Sequence, residues 1–244
     1  MLKTVTKYIL QKALGFDNYL YVFALFTYGR LRSNRDEKEF IYFLSTIPED
    51  AVILDIGANI GVMTTALAKK AIKGKVISFE PMPENIRVVK KMINRFKLGN
   101  VTLLETALGD KPGNLTMVMP VMNKLKMQGL SHVKEEGATD EWNTGEEFTV
   151  PVQMLDDIDL LKQQPKVDAI KIDVENYEYF VLKGGEQLLR QHMPVIYCEL
   201  WNNDKRILCM DYLKGLGYKA KIFADGKLVD FTNQHDELNF FFVA

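Results

Sequence analysis

AVILDIGANIGV, residues 51–62, decides how this chain is read. Four apolar residues, Ala51 to Leu54, run into Asp55; Gly57, Asn59 and Gly61 then break the run, and MTTALAKKA resumes with helical spacing. A short apolar run, a glycine cluster and a helix read as a buried strand, a tight turn and the helix that follows it. The glycines let the backbone turn sharply and come close to a ligand, and the free N–H groups of the helix face whatever lies above the strand. The passage reads as a nucleotide-cofactor loop.

The order Asp55-x-Gly57-x-Asn59-x-Gly61 is neither the dinucleotide fingerprint G-x-G-x-x-G nor the phosphate loop G-x-x-x-x-G-K-[ST]. A strand-end carboxylate attracts a cation and repels pyrophosphate, so the loop suits a nucleoside carrying an amino-acid end and no phosphates. S-adenosylmethionine is such a ligand. Downstream, GKVISFEP places Glu80 at the end of a second apolar strand, nineteen residues after Gly61. An acid at that position accepts hydrogen bonds from both ribose hydroxyls. NVTLLETALGD reads as a third strand whose closing loop, Glu105 to Leu108 with Ala107 among them, would lie beside the base.

Four pieces, VILDIGANIG, ISFEP, ETALGD (105–110) and AIKIDVEN (169–176), resemble the FkbM-type family of S-adenosylmethionine-dependent methyltransferases. The resemblance implies an α/β, Rossmann-like class I methyltransferase fold: a mostly parallel seven-stranded sheet, helices on both faces and a C-terminal antiparallel hairpin. Asp225-Gly226 is a strong hairpin turn, and LNFFFVA makes a hydrophobic last strand. One departure is Asn176, where the family commonly has Gly; Asn tolerates left-handed backbone, so the turn is expected to survive. The expected organisation is a helical cap over residues 1–48 and a methyltransferase domain over 49–244, with a strand-loop-strand insertion at 113–156.

At 244 residues, 47% hydrophobic and 26% charged, the chain can build one sizeable core. A net charge of −1 gives no electrostatic reason to expect a nucleic-acid partner. Cys198 and Cys209, eleven apart, imply neither a disulfide framework nor a zinc site, and a reducing cytoplasm is the default location. YLYVFALFTY (19–28) is too short to span a bilayer and lacks a signal-peptidase site. With Lys3, Lys7, Lys12, Arg30, Arg32 and Arg35 around it, it either packs as a helical cap or makes peripheral contact with a membrane surface. DEKEFIYFLST (36–46) reads as a further helix ending before Pro48.

Ligands of open α/β sheets sit outside the carboxyl ends of the strands, which here assigns Asp173 and Glu175, at the end of the strand 169–174, to the chemistry. Asp173 is expected to touch the cofactor as well. Asn123 to Glu147 has no clear period and reads as a segment over an acceptor pocket. Within it His132 is a candidate general base or a solvated loop histidine, and Trp142 either stacks on an acceptor ring or anchors the loop. Asp173, Glu199 and Asn202 or Asn203 either hold magnesium or simply position the acceptor. The chain lacks the Asn/Asp-Pro-Pro-aromatic run of amino-methylating enzymes, which favours an oxygen acceptor on a small molecule or saccharide. The rival readings are a nicotinamide-dependent oxidoreductase and a catalytically silent cofactor-binding module; oligomeric state is left open.

Overall fold

The computed structural model describes residues 2–33, 37–122, 125–135, 142–232 and 237–244, with the side chains of residues 2–6 and 8 left aside. Three helices lead: α1 (Leu2–Leu14), α2 (Phe16–Arg32) and α3 (Lys38–Thr46). The first half of the sheet follows as β1 (Val52–Ile56), α4 (Val62–Lys70), β2 (Lys75–Phe79), α5 (Pro83–Phe96) and β3 (Val101–Leu104). An antiparallel insertion comprises β4 (Ala107–Leu108), β5 (Gly113–Met122), β6 (Leu125–Lys126), β7 (His132–Val133) and β8 (Gly145–Gln153). The main sheet then resumes with α6 (Asp159–Lys162), β9 (Ala169–Ile172), α7 (Glu178–Lys183), α8 (Glu186–His192) and β10 (Val195–Glu199). It closes with α9 (Asp204–Gly215), β11 (Lys219–Ala224), β12 (Lys227–Asp230) and β13 (Asn239–Val243).

Eight strands, not seven, form the main sheet, in the order β12-β11-β13-β10-β9-β1-β2-β3. Five neighbours, β10 to β3, are parallel, and the β13, β11 and β12 pairings are antiparallel, so the sheet is mixed. The extra strand is β12, which the Asp225-Gly226 turn returns onto β11 at the sheet edge; both residues have positive φ, 50° and 81°, the geometry a two-residue hairpin requires. A second sheet, β4-β8-β5-β6 with β7 also on β5, forms from the insertion. The interval between the two long strands is thus not one structureless segment: 125–126, 128–130 and 132–133 fold back beside β5, while residues 123–124 and 136–141 lie outside the described residues, as do Arg35 and Asp36.

Alternation along the strands divides the core. Leu54, Ile56, Ile170 and Ile172 pack on one face with α7 to α9, and Ile53, Val76, Ala169 and Tyr197 on the other with α3 and α4. Phe40 and Phe43 of α3 are fully buried against Tyr197 and Phe241, so α3 is part of that second face. α2 lays Tyr19, Leu20, Ala24 and Tyr28 over Ile60, Val88 and Met92. This places the carboxyl ends of β1, β2 and β9 side by side beneath α2 and the insertion.

Candidate functional site

The loop after β1 is fixed by backbone conformation first. Gly57, Asn59 and Gly61 have φ of 79°, 50° and 79°, left-handed values that Gly adopts freely and Asn better than most residues. A Cβ on Gly57 would fall 1.9 Å from the Asp173 carbonyl oxygen, so only glycine fits where the two strand ends meet. The Gly57 and Ala58 N–H groups donate to the Phe79 carbonyl at 3.1 and 2.9 Å, and Asp173 N–H donates to Ile56 at 3.1 Å, locking the three ends together.

Above them lies a cleft of about 630 Å³, its open part included. Gly57, Asn59 and Glu80 form its floor, Ala107 with Thr106 and Leu108 one wall, and Asp173, Glu175 and Tyr177 the other. Glu80 is buried. Its Oε2 accepts from Asn59 N–H at 2.7 Å, and its Oε1 from Met82 N–H at 2.9 Å and Asn85 Nδ2 at 3.2 Å. Each carboxylate oxygen accepts about two bonds, so Oε1 is filled and Oε2 has room for one more donor. Burial pushes the Glu80 carboxyl up to about 7, against the pull of those donors.

Three expected residues lie elsewhere. Asp55 is fully buried beneath the loop, accepting from Thr64 Oγ1 at 2.5 Å and Ser78 Oγ at 3.5 Å, because the residue after Leu54 faces the helix side of the sheet and not its open end. Gly61 caps α4 and packs on Val89 and Met92, away from the cleft. His132 is buried and stacked on Trp142 at 4.3 Å, its Nδ1 2.8 Å from the Leu130 carbonyl oxygen. Trp142 in turn leans on Trp201 at 5.4 Å, so it anchors the insertion. His132 lines a separate cavity that also reaches Glu175, not the main cleft.

Glu175 owes its position to the turn after β9, where Glu175 and Asn176 are both left-handed, with φ of 54° and 71°. The buried Glu178 carboxylate holds that turn by accepting from Val174 N–H at 3.1 Å and Asn176 N–H at 3.2 Å. Burial, then the neighbouring Asp173 and Glu199, push the Glu175 carboxyl up to about 8. Burial and Asp173 likewise raise Glu199 to about 7. Among the described residues no group of three or more His, Cys, Asp and Glu side chains is arranged to hold a metal ion. Asn203, expected near such an ion, instead caps α9 and donates to Asn176 Oδ1 at 2.7 Å.

Two site residues had no place in the sequence reading. Lys171, buried in the middle of β9, donates to the Gly57 carbonyl at 2.7 Å and lies 3.8 Å from Asp55 Oδ1 and 3.7 Å from Asp173 Oδ2. Burial opposes its charge, but Asp173, Asp55, Glu80 and Glu199 outweigh it, and its pKa is raised. The signal was present: a lysine inside a strand buried on both faces demands carboxylate partners. Gln128, on a short 3₁₀ turn, lines the cleft and has a buried Oε1 with no partner among the described residues. It also lines a second cavity, bounded by Lys171, Asp173 and the α2 residues Phe23, Phe26 and Arg30.

Comparison with known proteins matches a methyltransferase FkbM domain to residues 55–220. Methyltransferase sdnD of Sordaria araneosa is 26% identical over 182 residues, covering 66% of this chain and 70% of its own length. The hexuronic acid methyltransferase AglP of Haloferax volcanii is 28% identical over 162 residues, covering 66% of this chain and 61% of its own. The solved structure of methyltransferase FkbM from Methylobacillus flagellatus superposes with a TM-score of 0.54 at 15% identity, over 81% of this chain and 44% of that one, a likeness of fold. The chain therefore spans less than half of that structure and about three fifths of the archaeal relative.

Proposed function

Because the chain belongs to the FkbM methyltransferase family, we propose that it binds S-adenosylmethionine in the cleft above β1, β2 and β9. On this reading it methylates a hydroxyl of a sugar, glycan or natural-product acceptor. The observation that carries the reading is a cleft with Glu80 on its floor, Ala107 on one wall and Asp173 and Glu175 on the other. Family membership sets the oxidoreductase reading aside. The archaeal relative, named for hexuronic acid, supports a saccharide hydroxyl, as does the lack of an amino-methylation motif after Ile172.

The residues fit the donor. The turn at Gly57 lines the cleft, and Asn59 and Gln128 bring buried oxygens that lack partners among the described residues. Glu80, whose Oε2 has room for a further donor, would hold the ribose hydroxyls. Ala107 and Thr106, on the cleft wall, would lie against the base. Asp55 and Gly61 act through the loop they brace. Asp173 and Glu199 supply negative charge beside Lys171. When bound, S-adenosylmethionine supplies an electrophilic methyl group on a sulfonium. The task left to the protein is alignment of the acceptor oxygen, which accounts for roughly 7–11 kcal/mol of such barriers, with base catalysis adding roughly 10²–10⁴-fold. Glu175, raised to about 8 and on the cleft wall, takes the hydroxyl proton. A base titrating near the working pH is well matched to that transfer.

Titration calorimetry with S-adenosylhomocysteine tests the two roles separately. Glu80→Ala is expected to weaken binding by about tenfold or more, on the order of 1.4 kcal/mol. Glu175→Gln is expected to leave affinity within about threefold while lowering turnover on uronic-acid and polyol acceptors by about 10² or more. Unchanged affinity in the Glu80 variant removes the ribose assignment. Donor binding by wild type without turnover on any acceptor favours the silent module.

A further inference from the structure

α2 is apolar on both sides. Its inner face, Tyr19, Leu20, Ala24, Tyr28 and Leu31, is buried, yet its outer face leaves Val22 52%, Phe23 41% and Phe26 61% exposed. α1, which packs on α2, also leaves Ile9, Leu10 and Leu14 each at least 40% exposed. A helix hydrophobic all round is normally covered all round, and a patch of this kind marks a contact site.

Charge selects what covers it. The first 33 residues carry five basic side chains and a single acid, Asp17, in a chain whose net charge is −1. Asp17 is already bound by Arg87, at 2.5 and 2.9 Å. Arg30 and Arg32 are exposed at the C-terminal end of the apolar face, the Arg30 guanidinium 5.9 Å from the Phe26 ring centre, and Lys12 is exposed on α1. Cations flanking exposed aromatic and aliphatic side chains suit an anionic bilayer surface, with the apolar residues at the acyl boundary and the basic ones among the headgroups. The same face opens inward, since Phe23, Phe26 and Arg30 also line the second cavity, which extends to Lys171 and Asp173.

From this we infer that the exposed apolar side chains of α1 and α2 dock in the plane of an anionic lipid surface and turn the mouth of the second cavity toward it. Among the described residues no helix is long and apolar enough to cross a membrane. Docking so placed would deliver lipid-borne acceptors to the site, but the surface contact stands without the methyl-transfer reading, and its assay needs no donor.

The test is flotation of the full chain with phosphatidylcholine vesicles, and with the same vesicles containing phosphatidylglycerol. Wild type is expected to bind the anionic vesicles at least about tenfold more tightly than the neutral ones, and to be released by high salt. Leu10→Asp/Val22→Asp, which touches neither the cleft nor the second cavity, is expected to lose vesicle binding with unchanged melting temperature and affinity for S-adenosylhomocysteine. Three results overturn the proposal: no flotation of wild type, flotation that survives the double substitution, or a wild-type dimer in solution that the substitution converts to monomer. The last would make this face a contact between two copies.

Discussion

Lys171 concentrates the residue-scale physics of the site. Its ammonium links the carbonyl of Gly57 to the carboxylates of Asp55 and Asp173, so it joins the loop after β1 to the end of β9 from below. Replacing it with Met leaves two carboxylates without their cation, one of them fully buried. Breaking a buried pair in this way costs roughly 3–5 kcal/mol, which in a chain of this size lowers the melting temperature by on the order of 10 °C. Differential scanning fluorimetry of Lys171→Met measures this directly; a shift under about 2 °C would mean that the charge is solvated and the cluster plays no structural part. The carboxylate positions were legible because each closes an apolar run next to a glycine or a turn. Lys171, which interrupts such a run, signals only that carboxylate partners are needed, and the register opposite Asp55 shows one of them.

Among elements, the turn between β9 and α7 sets where Glu175 points. It depends on two consecutive left-handed residues, and Asn176 holds the second at φ 71° while its Oδ1 accepts from Asn203 at 2.7 Å. Asn176→Gly relieves the backbone and loses one exposed hydrogen bond, so stability is expected to stay within about 0.5 kcal/mol. Asn176→Val, β-branched at a left-handed position, is expected to cost about 1–2 kcal/mol. Urea unfolding of both compares them, and equal losses would show that the side-chain bond, not the backbone, holds the turn. Elements of this kind were readable where pattern and punctuation coincide: β1, β2, β9 and β10 are apolar runs with sharp ends, and the break between α7 and α8 falls at Gly184-Gly185. The insertion was readable only as its two long strands, β5 and β8. β6 and β7 are two residues each, too short to carry any period, and their pairing with β5 comes from tertiary contact alone.

For the molecule as a whole, Asp55, Glu80, Asp173 and Glu199 gather around the buried ammonium of Lys171, with Glu175 beside Asp173. In the folded protein burial, reinforced at Glu175 and Glu199 by Asp173, raises Glu80 and Glu199 to about 7 and Glu175 to about 8, from an ordinary 4.5. Below 4.5 both folded and unfolded chains hold these protons, and the stabilisation is complete. As pH rises from there, the unfolded chain releases them first, so stability falls steadily until the native carboxyls have ionised at about 8. The melting temperature of the donor-free protein is therefore expected to decline between about pH 5 and about pH 8, and less steeply in Glu175→Gln, which removes one of the titrating groups. A cationic donor reverses the balance by favouring the ionised carboxylates. Its binding should release protons at pH near 7, seen as a buffer-dependent enthalpy in titration calorimetry, and its affinity should rise with pH over this range. S-adenosylhomocysteine, which lacks the sulfonium charge, should show a smaller release and a flatter pH dependence. If the two ligands release protons equally, the carboxylates respond to burial by the ligand and not to its charge, and the electrostatic account of donor recognition fails.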